Sequence, residues 1–259
     1  MQLFVVGPPR SGLTIVTQFL NHHEDIEIFD EVDLVHVNRG RVIGTLAAFL
    51  LERGVYEDYR HRAEETGDPV RALQAIMSEI ARPCSIWGEK NPRYAMRLEI
   101  LRRTFPEAVV LFVLRDPREV VNSYLLHRDS KERTRLDFWI KDTVAEALAL
   151  LESCLEPLKA SDAELLVLRY EAFAASPRET LEAAFDRWGL QFSESAVPLA
   201  HWAPATVGDN QFFRHSAPLP WKVGNLSPLR QTPAARERID ADDPTWSQVD
   251  ALARYFGYN

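Results

Sequence analysis

Short unbroken apolar runs alternate along this chain with longer stretches whose apolar positions recur every three or four residues. Residues 2–7, with Leu3, Phe4, Val5 and Val6, predict a buried strand. Residues 12–21 predict the helix after it, with Ile15, Val16, Phe19 and Leu20 on its inner face. Further strands are expected at 26–29, at 85–88, at 109–114, which is six apolar residues in a row, and at 164–169. Helical spacing covers 39–65, 69–81, 94–104, the segment after Pro117, 136–158, 177–189 and 244–256. Such repeated strand and helix alternation predicts an α/β protein of three layers, a parallel sheet flanked by helices with helical insertions. The Pro-rich and polar stretch 198–233 is expected to be a long C-terminal loop region serving a site. One domain over residues 1–259 accommodates all of it.

The turn between the first strand and helix reads Gly7, Pro8, Pro9, Arg10, Ser11, Gly12, Leu13, Thr14. Backbone N–H groups at a helix start have no intrahelical partner, and the helix dipole adds positive potential there. An arginine and two hydroxyls in the same turn make it a seat for an oxyanion. The pattern is not a Walker loop, because no lysine precedes Ser11 or Thr14. Other polar residues sit where apolar runs end: Asp30 and Glu31, then Glu89 and Lys90, then Arg115 and Asp116. Parallel sheets place their chemistry at such strand ends.

The net charge of −8 argues against a general nucleic-acid surface. No apolar stretch is long enough for a membrane span, and a strand beginning at residue 2 predicts a cytoplasmic protein without a leader. Cys84 and Cys154 are expected to be reduced thiols. His22 and His23 read as a solvent-facing helix end rather than a metal pair, and no metal is expected.

The segments Pro9–Thr14, LFVLRDPREVVNSY at 111–124, WGEKNPR at 87–93 and LRYEAF at 168–173 together resemble sulfotransferases that use 3′-phosphoadenosine 5′-phosphosulfate, PAPS, in their bacterial and tyrosylprotein-type branch. That resemblance implies that the sheet is P-loop-like and that Arg10, Ser11, Gly12, Leu13 and Thr14 bind the 5′-phosphosulfate. It implies Arg115 and Ser123 at the 3′-phosphate, with Lys222 closing over it. Leu13 stands where the family usually has a threonine. Adenosine 3′,5′-bisphosphate is the implied product.

Glu31 is the implied base, with His36 as the second choice because an imidazole titrates near neutrality. Arg10 and Lys90 suit the transferring group and the leaving oxygen, and Glu89 is expected to orient Lys90 or Arg10. The expected acceptor is a hydroxylated small molecule, with a peptide or an amine behind it. Phe212, Phe213, Trp202 and Trp221 are candidates for its pocket, and oligomeric state stays open. Two rivals remain at this point: a small-molecule or nucleoside kinase, with Asp116 as its magnesium carboxylate, and an inert nucleotide-binding module.

Overall fold

The computed structural model describes residues 1–39, 44–81, 84–126, 128, 138–160, 165–191 and 237–259. Lys222, Trp202, Phe212, Phe213, Trp221 and the whole 198–233 stretch lie outside the described residues. Five strands, β1 (Gln2–Val6), β2 (Ile26–Asp30), β3 (Ile86–Lys90), β4 (Val109–Leu114) and β5 (Leu165–Arg169), form one sheet. Their order is β2-β3-β1-β4-β5, and every neighbouring pair is parallel. This is the expected α/β architecture. β1 and β4 are almost wholly buried, as unbroken apolar runs between two helical layers must be.

Helix α1 (Leu13–Asn21) packs on one face with α8 (Tyr170–Ala175) and α9 (Pro177–Trp188), around Leu3, Val5, Val16, Phe19, Phe173 and Phe185. The opposite face carries the larger core and α2 (Gly44–Glu52), α3 (Tyr56–Thr66), α4 (Pro69–Ile80), α5 (Leu98–Thr104), α6 (Pro117–Leu125), α7 (Val144–Lys159) and α10 (Trp246–Tyr255). Among the described residues no helix is long and apolar enough to cross a membrane.

Several boundaries differ from expectation for local reasons. The stretch predicted as one helix over 39–65 is split into α2 and α3, with a left-handed Gly54 between them. Helix 136–158 starts at Val144, where the Thr143 side chain accepts from the Glu146 N–H. Pro92–Met96 winds as a 3-10 turn before α5, its entry capped by Asn91. Most consequential is β3, which runs two residues further than Gly88. Glu89 and Lys90 are therefore strand residues with side chains on opposite faces.

Gly88 is the tightest point of the sheet, since a Cβ there would stand 1.8 Å from the Leu3 carbonyl oxygen. Gly67, the C-terminal cap of α3 at φ 64°, has open space around it. Gly88→Ala is expected to cost about 3 kcal/mol or more because backbone must move, and Gly67→Ala about 1 kcal/mol from conformation alone. Urea unfolding of both variants checks the order, and an equal loss would contradict the steric origin.

Candidate functional site

The helices that follow β1 and β4 leave the sheet toward opposite faces, so a crevice opens where those adjacent strands end. The β1 turn is shaped by close approach. A Cβ on Gly7 (φ 149°) would meet the Val113 carbonyl oxygen at 2.5 Å, and one on Gly12 (φ 100°) would meet the Tyr170 ring at 2.2 Å. Gly12 caps α1 without any side-chain bond, and no acidic residue lies in the first turn. The donors at that helix start therefore face outward without local neutralisation. Ser11 is fully buried and its hydroxyl has no partner among the described residues. Leu13 is buried in the core, and Thr14 is half-buried.

Arg10, a non-glycine residue at φ 67°, turns its side chain across the crevice. Its Nε donates to Ser123 Oγ at 3.0 Å, and its guanidinium lies 5.0 Å over the Trp139 ring. From the other bank Arg115 Nη1 donates to the Arg10 carbonyl at 3.1 Å. The Arg115 guanidinium also lies 5.0 Å over Tyr170 and pairs with Glu119 at 3.3 Å. Among the described residues its buried Nε has no hydrogen-bond partner. The structure thus brings Arg10, Ser11, Arg115 and Ser123 into one crevice, between two aromatic platforms. Asp116 has another role: it caps α6 at the Arg118 N–H and grips the Arg118 guanidinium with both oxygens, at 2.9 Å and 2.8 Å. That carboxylate is committed to holding the helix start.

Two strands away, the register sets Asp30 opposite Lys90 on one face of the sheet. Lys90 is buried, and its ammonium pairs with Asp30 and with Glu31 Oε1, the latter at 2.6 Å. Burial alone would lower the Lys90 pKa, but the two carboxylates outweigh it and hold the ammonium above its ordinary range. Glu31 sits at φ 51° just past β2, donates its N–H to the Lys90 carbonyl at 2.9 Å and keeps about a third of its side chain exposed. His36 lies in the 3-10 turn Leu34–Arg39 with its Nδ1 buried and without a hydrogen-bond partner among the described residues.

Glu89 orients neither Lys90 nor Arg10, contrary to expectation, because alternation along β3 sends it to the far face. There its fully buried carboxylate accepts from the Asp33 N–H at 2.7 Å, the Leu34 N–H at 3.0 Å, Asn91 Nδ2 at 3.0 Å and the Tyr94 hydroxyl at 2.6 Å. Burial pushes its pKa up to about 7, with the Asp33 charge adding to the rise and the hydrogen bonds from Tyr94, Leu34 and Asn91 opposing it. His23 also departs from the solvent-facing expectation. It is buried against Phe185, accepts the Asp25 N–H on Nδ1 and pairs through Nε2 with the Gln191 carbonyl at 2.8 Å. An accepting Nδ1 fixes Nε2 as the protonated nitrogen.

Sequence reasoning passed over Tyr170, Trp139 and the Asn91–Tyr94 pair. Tyr170 stands in the LRYEAF segment, so position alone could have flagged it.

Across the sheet, from β2 to β5, the strand ends present Glu31, Lys90, Arg10, Arg115 and Tyr170 in that order. The strand axes from β2 to β4 span about 14 Å. The model of the Sulfotransferase family matches residues 2–194, well over half of the chain. Over 131 residues the chain is 31% identical to Protein-tyrosine sulfotransferase 1 of Homo sapiens, a match covering 48% of this chain and 33% of that protein. Protein-tyrosine sulfotransferase 2 of Gallus gallus is 24% identical over 207 residues, 75% of this chain and 53% of that protein. The match thus spans between a third and about half of these relatives. Among solved structures, the sulfotransferase domain from the Synechococcus PCC 7002 olefin synthase superposes with a TM-score of 0.62 at 18% identity, covering 100% of this chain and 95% of that one. The sulfotransferase domain from the curacin biosynthetic pathway follows at 0.59 and 16%, covering 99% and 97%.

Lys90→Met is expected to destabilise the fold by about 3 kcal/mol or more, since it strands the buried Asp30 carboxylate. Urea unfolding checks this, and a loss below about 1 kcal/mol would show the pair to be dispensable. The pH dependence carries a second signature. A raised Lys90 pKa keeps that residue's stabilising contribution constant until strongly alkaline pH, so it adds no slope near neutrality. Glu89 binds its proton more tightly folded than unfolded, and its contribution is full below 4.5 and lost as pH rises through about 7. Glu89→Gln is expected to remove that decline from a Tm-against-pH series over this window. A decline identical to wild type would assign it to other groups.

Proposed function

The chain belongs to the sulfotransferase family, and on that premise we propose that it transfers a sulfuryl group from PAPS to a hydroxyl acceptor and releases adenosine 3′,5′-bisphosphate. The observation that carries the proposal is the meeting of the two arginine-bearing turns: Arg115 on the Arg10 carbonyl and Arg10 on Ser123. A nucleotide phosphorylated at both its 3′ and 5′ ends needs two anion sites on one crevice. The donor set fits such a ligand, for Ser11 Oγ and Arg115 Nε are buried polar atoms with no hydrogen-bond partner among the described residues, and the first turn of α1 has no side-chain cap. Residues 1–259 act as one domain in this reading, the whole sheet edge forming one site.

Arg10, Ser11, Gly12, Leu13 and Thr14 would hold the 5′-phosphosulfate, and Arg115 with Ser123 the 3′-phosphate. Leu13 contributes its backbone N–H, its side chain being packed in the core. Lys222 is proposed to close over the 3′-phosphate. The donor supplies an activated sulfuryl group whose bond to a phosphate oxygen is weak. Glu31 takes the acceptor's proton, and its partly exposed carboxylate at the crevice edge is placed to reach one. Lys90 keeps a permanent positive charge beside the reacting centre, where negative charge grows as the phosphate oxygen leaves. Asp30 keeps that ammonium in place. His36 is the less suitable base, since it follows the turn that carries Glu31.

A kinase reading would require Asp116 on magnesium, and Asp116 is engaged by the α6 N-terminus and Arg118. Small hydroxylated molecules are the first acceptors to test. The 31% identity to a tyrosylprotein enzyme makes a peptide tyrosine the second.

Saturating adenosine 3′,5′-bisphosphate, at about a hundred times its Kd, is expected to stabilise the protein by about 2.7 kcal/mol and raise Tm by about 5 °C or more, whereas ATP with magnesium does not. Arg115→Ala should abolish that shift, and an undiminished shift would remove Arg115 from the nucleotide site. With labelled PAPS, a panel of small phenols and alcohols and a tyrosine-containing acidic peptide identifies the acceptor class. Glu31→Gln is expected to lower kcat on it by about 10²-fold or more with nucleotide affinity kept. Full turnover by this variant would refute Glu31 as base.

A further inference from the structure

We propose that Glu89 is a positioning residue for the base: its carboxylate holds the backbone amides of Asp33 and Leu34, so that the left-handed turn at Glu31 persists and aims the Glu31 carboxylate at Lys90. This rests on the reading of Glu31 as the base.

The turn needs holding. Glu31 at φ 51° and Asp33 at φ 63° are two non-glycine residues in the left-handed region within three positions, each costing roughly 1–2 kcal/mol. Glu89 and Lys90 are adjacent on β3 and project to opposite faces, so the segment 31–34 is gripped from both sides of one strand end. On one side Lys90 binds the Glu31 carboxylate, and its carbonyl accepts the Glu31 N–H. On the other side three consecutive amides are taken in order. Asp33 and Leu34 donate to Glu89, while Val35 donates to the Tyr94 hydroxyl, which itself donates to Glu89. Asn91 Nδ2 closes the ring by bridging Glu89 Oε1 and Asp33 Oδ1, the latter at 2.8 Å. Tyr94 is tied to the sheet through Phe4, 6.1 Å away between ring centres.

Four donors converge on the two oxygens of one carboxyl group with no exposure, and an amide has only one oxygen to offer them. Glutamine at this position keeps the volume but turns an NH2 toward a backbone N–H, either that of Asp33 or that of Leu34. One of the two clamping bonds then becomes a donor facing a donor. The Glu31 turn loses its anchor while the core beneath is unchanged.

Two measurements test this. Amide hydrogen exchange on the free protein is expected to show the Glu31, Asp33 and Leu34 amides exchanging at least tenfold faster in Glu89→Gln, with β1 and β4 amides still protected. Unchanged protection at Glu31 overturns the proposal whatever the activity. Steady-state transfer from labelled PAPS to p-nitrophenol and to a tyrosine-containing acidic peptide is then compared for Glu89→Gln, Glu31→Gln and the double variant. Displacing a reacting group by about an ångström costs about 10²-fold, so Glu89→Gln is expected to lower kcat by about 10- to 100-fold with little change in the KM for PAPS. In the Glu31→Gln background it should lower kcat less than twofold further. A full further loss in the double variant would show a general structural effect and sink the proposal. If Glu31→Gln keeps its activity while Glu89→Gln loosens the Glu31 amide, the base assignment fails and the clamp stands. Should Glu89→Gln fail to fold, Tyr94→Phe removes one donor to Glu89 and the acceptor of the Val35 N–H while leaving the Glu89 carboxyl in place. It is expected to move exchange and kcat in the same direction by a few-fold, and no movement in either counts against the clamp.

Discussion

A buried ammonium between two carboxylates is the constraint on which the β2 side of the site depends. Lys90 lies at the end of β3 with almost no exposure, and removing such a charge from water costs several kcal/mol unless partners compensate. Asp30 compensates because parallel pairing of β2 with β3 sets it opposite Lys90, and Glu31 because the chain turns back at once after Asp30. The ion pair thus presupposes the strand register and rewards the strained turn. Lose the register by one residue and Asp30 moves to the wrong face, leaving the ammonium with a single partner.

The other side of the site rests on topology. β1 is bordered by β3 and β4, and the helices after β1 and β4 go to opposite faces, so neither of those two helices covers the gap between those strand ends. A turn rich in uncapped amides on one bank and Arg115 on the other then face each other without further elaboration. Their mutual contact is through backbone, Arg115 donating to the Arg10 carbonyl. That leaves the Arg10 guanidinium to reach Ser123 on α6. Since β1 also pairs with β3, Val5 stands next to Lys90, and the anion seat and the Lys90 ammonium are fixed to the same strand. The turn after β1 and the Lys90–Glu31 pair are held in register by one piece of sheet.

Much of this was legible before any coordinates, for a physical reason. A parallel strand buried on both faces reads as an apolar run, and the polar residue that ends it marks the sheet edge where ligands bind. Glu31, Lys90 and Arg115 stand at such ends, and Arg10 stands in the Gly- and Pro-rich turn that follows one. Glu89 was misplaced because β3 carries two charged residues inside its last turns of pleat, and periodicity cannot tell an ion-paired strand end from a loop. Trp139 under Arg10 and His23 beside Gln191 were hidden because those partners lie far away in sequence, and the contact of Tyr170 with Arg115 was hidden likewise, though its place in the LRYEAF segment was not. Solvent was the default for His23, and only the fold supplies the carbonyl and the ring that bury it.

The strained residues tie these observations together. Among the described residues four non-glycine positions are left-handed: Arg10, Glu31, Asp33 and Asp240. Glycine would adopt these angles at no steric cost, so each side chain must offset the strain. At Arg10, Glu31 and Asp33 the offset has the same form. Backbone and side chain are both fixed by groups on or after a neighbouring strand: Arg115 at the end of β4 and Ser123 on α6 for Arg10, both ends of Lys90 for Glu31, Glu89 and Asn91 for Asp33. Asp240 obeys the same energetics with other partners, binding Arg128 and giving its carbonyl to the Trp246 indole, neither of which belongs to a strand end. Positive φ by itself therefore marks only a place where a side chain is worth its strain. What separates the three from the fourth is that their partners include residues at the strand ends. Strain held there keeps those side chains in one arrangement against thermal drift.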